Sequence, residues 1–467
     1  MQGFKNNSNN LGSLGDCKSL PFTDKLEEWW SNLPPEIKFI SDMIIKNGGG
    51  CWIVGGSIRD ALSSNKNSNE FDLATDIIPE KMIEIFDGIR DSNKSLITLI
   101  PTGIKYGTVT LKFQKDIEIE VTTLRTDSVY SDGRRPDSVR FGKSLRDDLL
   151  RRDFTVNAMA IDISRKVLHD PFNGLEDIKS RIIRAVGNPH TRLSEDGLRI
   201  LRAYRFVGNF REMWRIDTDL RNALEMSINM LENIAKERIW NEFKKILNSK
   251  YAGEILSLMS EDKVLDVILH GKYSPQSRGI LCQYNSTIVN YESEDVSIAR
   301  LTLLLVDSLD GGIENDFSLI RLSNKEVNQF NRFFRSLGRL PNPHYKSELR
   351  LWRYFHDSDS RLMISIEESL ANISGEEDLI VVNTIRDELL NLPPLSAGNK
   401  PLANGTWLMQ RTGLSKGPRL GRLKSWLHTI QIERDLSNLG EVESVLCTLP
   451  WNQEKYSSWP LPVWPKS

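Results

Sequence analysis

The sequence predicts an α+β fold: a mixed α/β domain with a small sheet over residues 35–165, then an almost wholly helical remainder. Three observations carry this. Between residues 96 and 123 lie the β-type runs LITLI, GTVTLKF and IEIEVTT, the last two alternating apolar and polar residues as half-buried strands do. From about residue 175 the pattern changes to helical spacing, as in EDGLRILRAYRFVGNF and SIARLTLLLVDSL. The 467 residues are enough for about three domains at roughly 150 residues each.

The elements follow in order. The opening MQGFKNNSNNLGSLGD is rich in Asn, Gly and Ser and reads as a disordered lead-in without the apolar core of a secretory signal. PEIKFISDMIIK at 35–46 has Pro at its start and Ile37, Ile40, Met43 and Ile44 at helical spacing, with glycines to end it. CWIVGG is a short buried strand broken by glycines, and SIRDALSS a short helix. EFDLAT is a strand and PEKMIEIF a helix with Pro in its first turn. Pro/Gly/Asn clusters near 247–252, 338–346 and 392–406 mark breaks between helical stretches. The Pro-rich end, SSWPLPVWPKS, reads as an extended tail.

Composition excludes several classes. Charged residues are 27% and the net charge is −2, so nucleic-acid binding has to rest on local patches. No run of about 18 apolar residues exists, which argues against a membrane span. Cys17, Cys51, Cys282 and Cys447 stand far apart, fitting a reducing, cytoplasmic setting. No H-E-x-x-H motif points to a zinc hydrolase site. The one G-K-S, at Gly142-Lys143-Ser144, has Asp137 where a P-loop needs its first glycine.

The chemistry-bearing residues concentrate in the first domain. Gly55-Gly56-Ser57 closes a strand just before a helix. Glycines there let backbone amides approach a phosphate, and the helix start favours an anion. Arg59, one turn in, can fork onto phosphate oxygens. Taken alone, such a corner is more often plain structure. Glu70 and Asp72, at i and i+2 of a strand, share a face, and paired carboxylate oxygens suit Mg²⁺; a polar sheet edge would look the same. Glu120 on a later strand is either a third acid or a solvated residue. Asp196 and Arg199 fall one helical turn apart, i and i+3, which equally describes a surface ion pair.

Together these pieces are more specific. A Gly-Gly-Ser turn, with 13 residues between Gly56 and the acid-hydrophobic-acid run at Glu70, resembles the polymerase-beta nucleotidyltransferase superfamily. IVGGSIRDAL…EFDLATD at 53–76, EVTTLRTDSVYSDGRRPDSVRFGKSLRDDLLRRDFTVNAMA at 120–160 and EDGLRILRAYRF at 195–206 resemble class II tRNA nucleotidyltransferases (CCA-adding enzymes) and bacterial poly(A) polymerases. GLSKGPRLGRLKSWL resembles the family's tail signature. The likeness is strong over about 35–225, weak in the tail, and merely helical between.

The resemblance implies a disordered lead at 1–22, a polymerase-beta-like head at 23–165, a neck at 166–248, a body at 249–392 and an RNA-binding tail at 393–467. It implies template-independent addition of CCA to the tRNA 3′ end from CTP and ATP, with poly(A) addition, A-only or CC-only addition, or a non-catalytic RNA-binding relative as alternatives. By position, Glu70 and Asp72 would hold Mg²⁺ and Glu120 would support them. The family's usual first acid is Asp, so Glu70 is a departure that sets the carboxylate about one bond further out. Gly55, Gly56, Arg59 and Asp60 match the phosphate-binding corner and its anchor. Arg151, Arg152, Asp153 and Asn157 match the ribose motif, Asp196 and Arg199 the base-selecting pair, and Arg202 a phosphate contact. Residues 126–140 resemble, at full length, the loop needed to switch from C to A. Two basic stretches suit an RNA backbone. Residues 179–205 hold seven Lys and Arg against two acids, and 411–424 include Lys416, Arg419 and Arg422 with no acid.

Overall fold

The computed structural model describes residues 19–63, 71–92, 97–113, 117–127, 139–142, 144–273, 295–306, 319–452 and 455–464. The chain forms two compact units, Met1–Ile246 with Leu258–Ile268, and Leu247–Ser257 with Leu269–Ser467.

The strands of the first unit, in chain order, are β1 Ser19–Leu20, β2 Cys51–Val54, β3 Phe71–Thr75, β4 Ile97–Gly103, β5 Thr108–Phe113, β6 Glu118–Thr123, β7 Arg125–Asp127, β8 Val139–Phe141, β9 Ala160–Asp162, β10 Val167–His169, β11 Ile182–Ile183 and β12 Arg215–Ile216. Eight form one sheet in the order β1-β10-β9-β2-β3-β6-β5-β4. All its pairings are antiparallel except β3 with β6. The sheet is therefore mixed, as the sequence predicts, but larger than expected. Two of the extra strands are three-residue pieces, too short to show a period. A third, β1, falls inside the expected lead of 1–22; Ser19 and Leu20 pair with His169 and Leu168.

Local chemistry explains the elements around the site. The Pro35–Lys46 helix has Pro at its first turn, buries Ile37, Ile40 and Ile44 on one stripe, and packs on β2. It ends in a Schellman turn: Gly48, at φ +83°, donates to the Ile45 carbonyl and Gly49 to that of Ile44. β2 is buried along its whole length, which is why CWIV reads as an unbroken apolar run. Beneath the site, Trp52, Val54 and Ala74 pack with Leu145 and Leu149 of the Leu145–Leu150 helix. At the fully apolar rate of about 25 cal/mol per Å², each such buried leucine contributes roughly 2 kcal/mol.

Helices end at Leu247, Ser336 and Asn391, within or beside the Pro/Gly/Asn clusters. The Pro-rich end is extended but docked: Trp459 is fully buried, and the Trp464 indole donates to the Arg339 carbonyl. Among the described residues no helix is long and apolar enough to cross a membrane.

Candidate active site

The site begins where β2 stops. Gly55 takes φ +84° and the next helix starts at Gly56. A Cβ on Gly55 would lie 3.1 Å from Asp72 Oδ2 and 3.4 Å from Arg152 Nη1. The corner thus brings bare backbone up against a carboxylate and a guanidinium. Asp72 is an exposed position on the otherwise buried strand β3. In register, it sits beside Val54 on one side and Glu120 on the other. Residues opposed on adjacent strands share a face, so β3 and β6 present Asp72 and exposed Glu120 together. Glu70 lies outside the described residues, and among those described no cluster of three or more potential metal ligands is assembled. Two neighbouring carboxylates are the hard oxygen donors a divalent cation such as Mg²⁺ takes, and the donor set fits such an ion.

Arginines gather beside these carboxylates, each held by an acid. Asp148, on the Leu145–Leu150 helix, is buried and accepts from Arg151 Nη2 at 2.7 Å and Arg152 Nη2 at 3.5 Å. Burial alone would raise its carboxyl; Arg151 and Arg152 outweigh that and hold it below the ordinary carboxylate value. Arg59 bonds Asp60 through Nε at 2.8 Å and Asn157 through Nη1 at 2.7 Å. The Asn157 amide passes the link to Asp153 Oδ1 at 2.9 Å, and Arg202 Nε reaches Asp153 Oδ2 at 2.8 Å. Burial pushes Asp153 up, but Arg202 and Asn157 bring it well below the usual range. The Phe206 ring lies under three guanidiniums, those of Arg205, Arg59 and Arg202, at 4.3, 4.9 and 5.5 Å.

The helical relation expected between Asp196 and Arg199 is not what the structure shows. Asp196 caps the Pro189–Glu195 helix in an extended conformation, and a new helix starts at Arg199. The break centres on Gly197, where a Cβ would meet Ile234 Cδ1 at 3.1 Å and Met230 Cβ at 3.2 Å. The two side chains do not pair with each other. Asp196 Oδ1 accepts from the Leu198 amide at 3.1 Å, and Oδ2 lies 2.9 Å from Arg238 Nη2. Arg199 donates to Glu195 Oε2 and to the Arg192 and Arg151 carbonyls.

These groups open onto one cavity of about 540 Å³. Its lining gathers Gly55, Gly56, Arg59, Asp72, Arg151, Arg152, Asp153, Asn157, Asp196, Arg199 and Arg202, and leaves out Glu120 and Asp60. It adds Leu198, Arg205, Phe206 and Arg238, which sequence reasoning did not assign to the site. Arg205 and Phe206 stand in the quoted neck motif; Arg238 has no local signal, because only the fold brings it across 42 positions to Asp196. The second half of the basic stretch at 179–205 is folded inward, Arg192, Arg199, Arg202 and Arg205 meeting Glu195, Glu195, Asp153 and Glu242, while Lys179, Arg181 and Arg184 stay at the surface.

The tail cations divide in the same way. Arg419 donates to the Trp451 carbonyl at 2.9 Å and Arg422 to the Trp459 carbonyl at 2.6 Å, so both clasp the chain's own end. Lys416 is exposed. Of residues 126–140, those at 128–138 lie outside the described residues.

A mixed sheet that presents carboxylates from its central strands β3 and β6, beside a cavity of arginines, is the arrangement of a nucleotidyltransferase head. The family model "Poly A polymerase head domain" matches residues 51–184, and "Probable RNA and SrmB- binding site of polymerase A" matches residues 214–272. The chain is 30% identical over 396 residues to the CCA-adding enzyme of Staphylococcus aureus strain MRSA252, covering 84% of this chain and 91% of that one. It therefore belongs to the CCA-adding enzyme family and is a tRNA nucleotidyltransferase. The fold is shared with solved structures. The Bacillus stearothermophilus CCA-adding enzyme in complex with CTP gives a TM-score of 0.66 at 24% identity, covering 91% of this chain and 99% of that one. The Thermotoga maritima CCA-adding enzyme complexed with tRNA gives 0.60 at 20% identity, covering 92% and 99%.

Proposed function

We propose that the protein adds CCA to the 3′ end of tRNA without a nucleic-acid template, from CTP and ATP, by two-metal nucleotidyl transfer that releases pyrophosphate. The observation that carries this is a single cavity lined by seven arginines and three aspartates, Asp72, Asp196 and Arg199 among them. A triphosphate demands the arginines, and selection of a base Asp196 and Arg199. A cavity of about 540 Å³ is in the range of small-ligand sites.

In this reading the RNA 3′-hydroxyl oxygen bonds to the α-phosphorus, the bond from that phosphorus to the bridging oxygen breaks, and the hydroxyl proton passes to solvent. Glu70 and Asp72 would hold the divalent cations, with Glu120 beside them. Such ions supply Lewis-acid activation of the hydroxyl and charge neutralisation at the leaving phosphates. Gly55 and Gly56 let backbone amides close on the phosphates, and Arg59, braced by Asp60, and Arg202 neutralise them. Arg151, Arg152, Asp153 and Asn157 hold the ribose. Asp196 accepts from the amino group that cytosine and adenine share, and Arg199 donates to the adjacent acceptor; uracil and guanine present the reverse pattern. Lys416 contacts the RNA backbone.

The test is extension of a tRNA transcript ending in CC by ATP with a divalent cation. Wild type adds one A. Asp72→Asn loses about a thousandfold, roughly 4 kcal/mol of barrier, while still binding ATP. Wild-type rates in Asp72→Asn would remove Asp72 from the chemistry.

A further inference from the structure

We propose that Arg238 is a specificity-positioning residue: its ion pair with Asp196 holds that carboxylate in its base-reading pose and keeps the Arg238 donors away from the base. The inference rests on the proposed role of Asp196 and goes beyond it. Arg238 sits on the Lys236–Leu247 helix and lines the nucleotide cavity. Its Nη2 lies 2.9 Å from Asp196 Oδ2, with both side chains about four-fifths buried, so the pair is a fixed feature and not a solvated surface contact.

The chemistry gives the pair two consequences. Asp196 has extended backbone at the turn between two helices, and a side chain there is not held by the packing of a helix face. The Leu198 amide on Oδ1 and Arg238 on Oδ2 together fix both its oxygens. Each oxygen retains a second lone pair, so the carboxylate can still accept from a base amino group. A guanidinium, by contrast, only donates. An Arg238 released from Asp196 would offer donors to O4 of uracil or O6 of guanine, the groups this pocket has to refuse. The same helix sets this geometry firmly. One turn on, Glu242 is 2.7 Å from Arg205 Nε and 3.8 Å from Arg202 Nη1. Arg238 and Glu242, at i and i+4, therefore share the face that meets the cavity wall.

The experiment measures single additions to a tRNA transcript lacking CCA, with CTP and UTP offered separately. Wild type, Arg238→Gln, Arg238→Lys and Asp196→Asn are compared, with thermal unfolding to show that each is folded. Arg238→Gln should raise the UTP-to-CTP ratio of kcat/KM about tenfold, the size expected for one mispositioned base contact, with the RNA KM unchanged. Arg238→Lys, which restores a cation, should recover most of the discrimination. A parallel fall for both nucleotides in Arg238→Gln and Arg238→Lys, with the ratio unmoved, would overturn the proposal, because a purely structural role predicts that. Asp196→Asn separates the two readings. If it shifts the ratio and the Arg238 variants do not, only the Arg238 assignment fails; if it leaves the ratio unmoved, the base-reading role of Asp196 fails and the Arg238 proposal with it.

Discussion

Gly55 shows how narrow the tolerances at the site are. Its φ of +84° is strained for any other residue, by about 1–2 kcal/mol in the left-handed region. An added Cβ would also press on Asp72 Oδ2 at 3.1 Å. Gly55→Ala should therefore cost the fold about 1–2 kcal/mol and also lower kcat, because Asp72 has to give by a few tenths of an ångström. Steady-state extension beside a melting curve checks it, and equal rates would show that Asp72 has room to move. His356 carries a different penalty. It is fully buried between Trp352 and Phe355, and neither ring nitrogen meets a partner among the described residues. Burial, with Arg332 nearby, pushes its pKa down to about 3. A histidine held neutral in the fold costs nothing above its unfolded value of about 6.5. Below that the unfolded chain takes a proton the fold refuses, so stability falls as the pH drops from about 6.5 toward 3. At about pH 4.5 the loss is roughly 2–3 kcal/mol. His356→Leu should remove that part of the acid sensitivity, read as the difference in denaturant midpoint between about pH 7 and 4.5 for mutant and wild type; identical pH dependence would contradict it.

At the scale of elements, the tail separates packing from RNA contact. Trp459 is buried among Leu408, Leu420, Leu423 and Val442, and Arg422 holds its carbonyl. Trp459→Ala should destabilise the second unit by about 3–5 kcal/mol in a denaturant titration. Arg422→Ala should weaken tRNA binding only as far as it loosens this clasp, whereas Lys416→Ala should leave the melting point alone and lower the salt slope of tRNA binding by about one. A salt slope unchanged in Lys416→Ala would remove that residue from the interface. Elements also mark what was readable in advance. The Pro35–Lys46 helix, β5 and β6 were legible because each carries its own period, and β2 because its apolar run is bounded by glycines. The break at Asp196 was not: EDGLRILRAYRF keeps helical spacing, and the crowding of Met230 and Ile234 around Gly197, which leaves little room for a side chain there, comes from residues more than 30 positions away. Arg419 and Arg422 look like an open basic face because their carbonyl partners lie 32 and 37 residues away.

At the scale of the molecule, eleven of the motif residues between 55 and 202 line one cavity, Asp60 and Glu120 lie outside its lining, and family membership fixes the reaction class. The candidate site was largely legible because its residues cluster in contiguous runs such as RRDFTVNAMA. The contribution of Arg238 was not, since its meaning arises only from a long-range ion pair. What distinguishes CCA addition from any other use of this head is choice of base and a stop after three. The most direct measurement therefore offers all four nucleoside triphosphates together to a tRNA transcript lacking CCA, with Mg²⁺, and sequences the 3′ ends. The account predicts C, C and A in that order and no further growth. A long run of A, or ends that follow the nucleotide concentrations, would contradict it.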